Sequence, residues 1–131
     1  MPKNIHFFNE DVDFKLKHKS IIRKWIDSIV TSENQSIEDI NYIFCSDEYL
    51  LQINKDYLQH DYYTDIITFD NREELNEALS SDIFISIDRV EDNAQTLGSS
   101  FQQELYRVMI HGILHLLGQG DKTEEQKTQM R

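Results

Sequence analysis

The stretch from His111 to Asp121, "HGILHLLGQGD", compresses the pattern of a helix, a turn and side chains spaced like metal ligands into one short run. Residues four apart on an α-helix share a face, about one turn apart. His111 and His115 can therefore aim imidazole nitrogens at one point, as in helix-borne zinc sites. A lone buried histidine is ordinarily a hydrogen-bonded core residue; a pair at this spacing, next to two glycines and an acid, points to a metal. Gly118 suits a left-handed helix end, and Gly120 adds a second permissive residue. The chain can then reverse and return Asp121 to the histidines, giving a His-His-Asp set with an open fourth position, the mark of a catalytic rather than a structural zinc. By spacing alone Asp121 serves equally well as a helix cap. Asp121 with Glu124, and Thr123 with Gln126, are both capping-box patterns.

Gly112 occupies the position where peptidase helices of the form His-Glu-x-x-His carry the glutamate that takes a proton from metal-bound water. Without that side chain, peptide hydrolysis by this route is disfavoured. The glycine also costs roughly 1 kcal/mol of helix propensity relative to alanine. It implies that something approaches the backbone closely, either a substrate or a packed element.

Working back from this stretch, "FQQELYRVMIHGILHLL" reads as one long helix begun by Ser99 or Ser100 and running to Gly118. A helix over Asp88–Leu97 precedes it, ended by Gly98. "TDIITF" (Thr64–Phe69) and "DIFISI" (Asp82–Ile87) are β-branched strands, and "NIHFF" (Asn4–Phe8) and "NYIFC" (Asn41–Cys45) are two more. Ile21, Ile22, Trp25, Ile26, Ile29 and Val30 form an apolar stripe at helical period. Asp47 is placed to cap a helix bearing Leu50, Ile53, Tyr57 and Leu58. Strands that alternate with helices and then neighbour one another predict an α+β domain spanning 1–131, with a mixed sheet of about four strands and helices packed on it.

At 131 residues the chain is long enough for one self-sufficient core. No apolar run approaches the roughly 20 residues needed to cross a bilayer, so no membrane partner is expected. The N-terminal stretch turns acidic too early for a secretory signal. The single cysteine, Cys45, excludes an internal disulfide framework, fits a reducing cytoplasm and reads as a small core residue. A net charge of −11, from 13 basic and 24 acidic residues, argues against general affinity for polyanions, and no DNA partner is expected. The basic residues are unevenly spread, however. Lys15, Lys17, Lys19, Arg23 and Lys24 fall within ten residues around His18. They form either a solvated helix face or a local surface that meets phosphates.

Four ordered segments, "INKDY" (Ile53–Tyr57), "TDIITF", "SDIFIS" (Ser81–Ser86) and "HGILHLLG" (His111–Gly118), make the chain similar to the YbeY-like endoribonucleases. The resemblance implies an α+β domain like the metallopeptidase (zincin-like) catalytic fold. It implies one divalent metal per chain, usually zinc, held by three side chains of the last segment. It further implies cleavage of single-stranded RNA in maturation of the small-subunit rRNA 3′ end and in quality control of ribosomal particles. On this resemblance His111 and His115 are catalytic metal ligands and Asp121 is the third, where the family usually has histidine. An added carboxylate weakens the ion as a Lewis acid or favours a harder metal such as Mn²⁺. Asp65 either orients a ligand histidine or caps the strand entry, and Thr64 and Ser86 either contact substrate or make local hydrogen bonds. Where many relatives have a phosphate-contacting arginine, this chain has Leu58, leaving Lys55, His60 or the basic helix to compensate. A ribosome-associated protein with vestigial catalysis is the alternative, and a metallopeptidase is a more distant one.

Overall fold

The structure is a computed structural model that describes residues 4–74 and 76–118. In chain order it contains β1 (Ile5–Asn9), α1 (Lys19–Ser32), β2 (Ile37–Cys45), α2 (Asp47–Leu58), β3 (Ile66–Asp70), β4 (Leu79–Ser86), α3 (Ile87–Leu97) and α4 (Phe101–Leu116). Parallel strands need a crossover, and α1 supplies it between β1 and β2. β2 also runs parallel to β4, with Phe44 opposite Ile85, while β3 pairs antiparallel to β4, with Ile66 opposite Ile85. The sheet order is β1-β2-β4-β3, a mixed four-stranded sheet with β3 at one edge. The α+β expectation holds.

Alternation along the strands divides the core between the two faces of the sheet. Ile40, Tyr42, Phe44, Ile66, Ile83 and Ile85 pack with Ile22, Ile26 and Val30 of α1 and Leu105, Val108, Met109 and Ile113 of α4. Cys45 and Ile67 face the other way, under Leu50 of α2. The Tyr42 hydroxyl donates to the Met109 carbonyl at 3.0 Å, satisfying a buried phenol and tying β2 to α4. The leading layer therefore holds α4 directly over the sheet.

Helix ends follow their caps. Ser100 caps α4 in a reciprocal box with Gln103, Gly98 ends α3 at φ 72°, and Gly118 takes the left-handed conformation (φ 84°) just beyond α4. Ser46, rather than Asp47, caps α2 by accepting from the Tyr49 amide at 3.1 Å. The Asp47 carboxylate is committed elsewhere, to the Ser86 hydroxyl (2.7 Å) and the Arg89 guanidinium (2.8 Å). β2 starts at Ile37, four residues before the expected start. Its early residues are held by the ladder to β4 despite their polarity. The apolar stripe of α1 is wider than the surface that covers it: Ile21 is 66% and Trp25 42% exposed.

Candidate metal centre

His111 and His115 lie on α4, one turn apart and both half-buried. A Cβ built on Gly112 would sit 3.0 Å from Ile66 Cδ1 and 3.5 Å from two Ile83 carbons. The packed element is therefore the sheet, and Gly112 lets α4 settle onto β3 and β4. A glutamate at this position would start out toward Ile66 and Ile83, which removes the peptidase base for a steric reason as well as a compositional one.

The close fit sets α4 alongside the edge strand. Asp65, immediately before β3, is electrostatically coupled to His111, and Asp70, at the strand's far end, is coupled to His115. Burial pushes the Asp65 carboxyl above its usual value, against the opposing pull of Arg107 and His111. Burial likewise pushes His111 below the ordinary histidine value, outweighing Asp65. A depressed imidazole stays neutral and keeps a lone pair for a cation. The His115 Nδ1 is buried and has no hydrogen-bond partner among the described residues. An orphaned buried imidazole nitrogen is costly unless something ligates it. Imidazoles of this kind fit a borderline ion such as zinc.

Asp121 lies outside the described residues. Among the described residues there is no group of three His, Cys, Asp or Glu placed to hold a metal. His111 and His115 are brought to one face as expected, and Asp65 stands beside the first of them. Its Oδ2 accepts a 3.4 Å hydrogen bond from Asn93 on α3.

The loop that delivers Asp65 is anchored at several points. Asn54 of α2 donates to the Tyr62 carbonyl (2.8 Å), Tyr63 donates to Glu48 (2.7 Å), and the Arg89 guanidinium stacks on the Tyr63 ring. Thr64 and Ser86 take the local roles: Thr64 bonds the Ile66 carbonyl, and Ser86 caps α3. Leu58 packs onto the cluster under α2, Lys55 pairs with Asp61, and His60 stacks on Tyr62.

Four charged residues escaped the sequence reading. Arg107, one turn before His111, is forked by the buried Glu104 carboxylate through Nε and Nη2. The guanidinium side chain remains 53% exposed, and its Nη1 has no hydrogen bond among the described residues. The i,i+3 spacing of Glu104 and Arg107 was the available signal. At the other end, the Arg72 side chain, 3% exposed, makes a two-point contact with Asp70 and donates to the Leu116 carbonyl at 2.8 Å. That pairing spans 44 residues and leaves no local pattern. Of the basic cluster, Arg23 is engaged with the Ile5 carbonyl and the Phe7 ring, whereas Lys15, Lys17, Lys19 and Lys24 are exposed.

The family described as Endoribonuclease YbeY matches residues 4–131. The protein of that name from Cytophaga hutchinsonii is 55% identical over 98% of this chain and 90% of its own length. Its namesake from Christiangramia forsetii is 51% identical, over 97% and 87%. The fold aligns with the solution structure of TM1509 from Thermotoga maritima at a TM-score of 0.58 and 26% identity, covering 96% of this chain and 83% of that one. A match running through the sheet, the close-packed glycine and the histidine helix alike places the chain in the YbeY endoribonuclease family.

Proposed function

We propose that this protein is a metal-dependent endoribonuclease that hydrolyses single-stranded RNA, acting on rRNA of ribosomal particles in the cytoplasm. The observation that carries the reading is the placement of His111 one turn from His115, whose buried Nδ1 lacks a partner among the described residues, on a helix face that also presents an arginine. His111, His115 and Asp121 would hold one divalent ion, zinc being the best match to two imidazoles. When bound, such an ion supplies Lewis acidity and a water of lowered pKa. Placing a two-histidine helix along an edge strand also suits the metallopeptidase-like (zincin-like) arrangement.

The chain's own residues would do the rest. Asp65 fixes the electrostatic setting of His111 from the strand entry. Arg107, held rigid by Glu104, offers its outward Nη1 to a non-bridging phosphate oxygen and supplies the guanidinium that position 58 lacks. Gly112 sets the distance between helix and sheet on which these relations depend. Names of relatives that include "endoribonuclease" support the RNA substrate.

The test is cleavage of labelled single-stranded RNA by purified protein, with and without chelator, using His111→Ala/His115→Ala as the control against contaminating nuclease. The proposal expects cleavage by the parent that chelator abolishes and the double variant lacks. RNA left intact by the parent with every divalent metal, together with retained binding to ribosomal particles, would instead favour a non-catalytic ribosome-associated role, consistent with Leu58.

A further inference from the structure

A second surface lies on the opposite side of α4. Two adjoining cavities of about 340 and 380 Å³ share Gln102 and Tyr106 as a common wall. The first lies under the extended segment before α1, where Phe14 and Leu16 point inward and Lys15 and Lys17 are exposed. The second reaches along α1 to His18, Ile21 and Trp25, with Trp25 edge-on to Tyr106 at 6.1 Å between ring centres.

The electrostatics of this groove differ from the rest of the molecule. Among the described residues no carboxylate lines either cavity. From Phe14 through Ile26 there is no Asp or Glu, in a chain of net charge −11. Lys15, Lys17, Lys19 and Lys24 are exposed, and among the described residues none of the four forms an ion pair. Exposed lysines that avoid the abundant carboxylates, beside half-exposed aromatic and aliphatic faces, form a phosphate-tracking rim around a base-stacking floor. An acidic protein would otherwise repel RNA, so a local cationic groove is needed to retain it.

We propose that this groove is an exosite for single-stranded RNA, in which a base stacks on the Trp25 face with Tyr106 edge-on beside it, while Lys15 and Lys17 neutralise the flanking phosphates. The proposal rests on the ribonuclease reading for its choice of partner. Tyr106 lies about 7.5 Å along the α4 axis from His111 and is turned roughly 140° away from it, by the geometry of an α-helix. Arg107, adjacent to Tyr106 and one turn before His111, stands between the two surfaces. A strand anchored in the groove would pass Arg107 to reach the histidines, so the exosite selects for unpaired RNA that can bend around the helix.

Trp25 is the chain's single tryptophan and serves as a built-in probe. The experiment titrates the full chain, and separately its His111→Ala/His115→Ala variant, with single-stranded oligouridylate while following tryptophan fluorescence. Poly-glutamate serves as a competing acidic polymer. Saturable quenching with similar affinity in both proteins is expected. A Trp25→Leu change, read by anisotropy of labelled RNA, should weaken binding roughly tenfold. Lys15→Ala/Lys17→Ala should reduce the slope of log affinity against log salt by about 1.4, the value for two phosphates on a single strand. Quenching without cleavage would sink the hydrolase reading and leave the groove standing. Binding without quenching, an unchanged salt slope, or equal quenching by poly-glutamate would overturn the exosite, the last by reassigning the groove to an acidic protein; none of these would touch the histidine site.

Discussion

Gly112 exchanges helix propensity for proximity. Replacing it with alanine regains about 1 kcal/mol of propensity, but the new methyl meets Ile66 Cδ1 at 3.0 Å within a filled core. Overpacking of this kind costs about 1–3 kcal/mol, so Gly112→Ala is expected to lose roughly 1 kcal/mol net. Adding Ile66→Val removes the offending carbon and should recover part of the loss. Urea denaturation of the single and double variants decides it; a Gly112→Ala protein more stable than its parent would show that the glycine is not a spacer. Arg107 makes a separate prediction. Lysine there keeps a positive charge beside buried Glu104 but loses the rigid fork, so Arg107→Lys should hold its melting temperature while RNA cleavage falls about tenfold or more. Unchanged cleavage would remove Arg107 from phosphate binding. That pair left an i,i+3 signal that the sequence reading passed over, whereas the close approach at Gly112 was legible but its partner, Ile66, needed the sheet in place.

Helix α4 was legible because its apolar residues recur at helical period and Ser100 stands at its head with Gln103 three residues on. Its anchorage was not, because Arg72 reaches the last turn from a loop distant in sequence. Arg72 should matter to how α4 terminates beside His115. Burial pushes the Asp70 carboxyl up, but the hydrogen bonds and charge of Arg72 outweigh that and hold it below the usual carboxylate value. A carboxyl depressed on folding adds stability that is complete above its unfolded pKa, near 3.9, and is lost as pH falls through the folded value. The difference in unfolding free energy between parent and Arg72→Gln should therefore be flat from about pH 5 to 8 and shrink below about pH 4. A difference that grew on acidification would contradict the pairing. The α1 stripe teaches the complementary lesson. Period reveals which residues share a face, but α4 leaves Ile21 exposed and covers Trp25 only in part, and no pattern within α1 could report the width of its partner.

Across the molecule, the alternation of strands and helices carried the fold class, since helix-bridged strands at this spacing leave few topologies. The edge position of β3 and its company with α4 emerged only from the pairing register. No helix among the described residues is long and apolar enough to span a membrane. Cys45 reports on the integrity of the whole. Burial, reinforced by Asp11, Glu10, Asp47 and Asp88, pushes its thiol up to about 12. The native protein should resist alkylation at pH 8, with labelling that tracks unfolding. Rapid labelling of folded protein would place the thiol at the surface and contradict the packing under α2.

The most direct measurement is metal content by elemental analysis of purified protein and of the His111→Ala/His115→Ala variant, both verified as folded. The account predicts about one divalent ion per parent chain and none retained by the variant, as expected where imidazoles are the principal ligands. Equal stoichiometric metal in both proteins would contradict it.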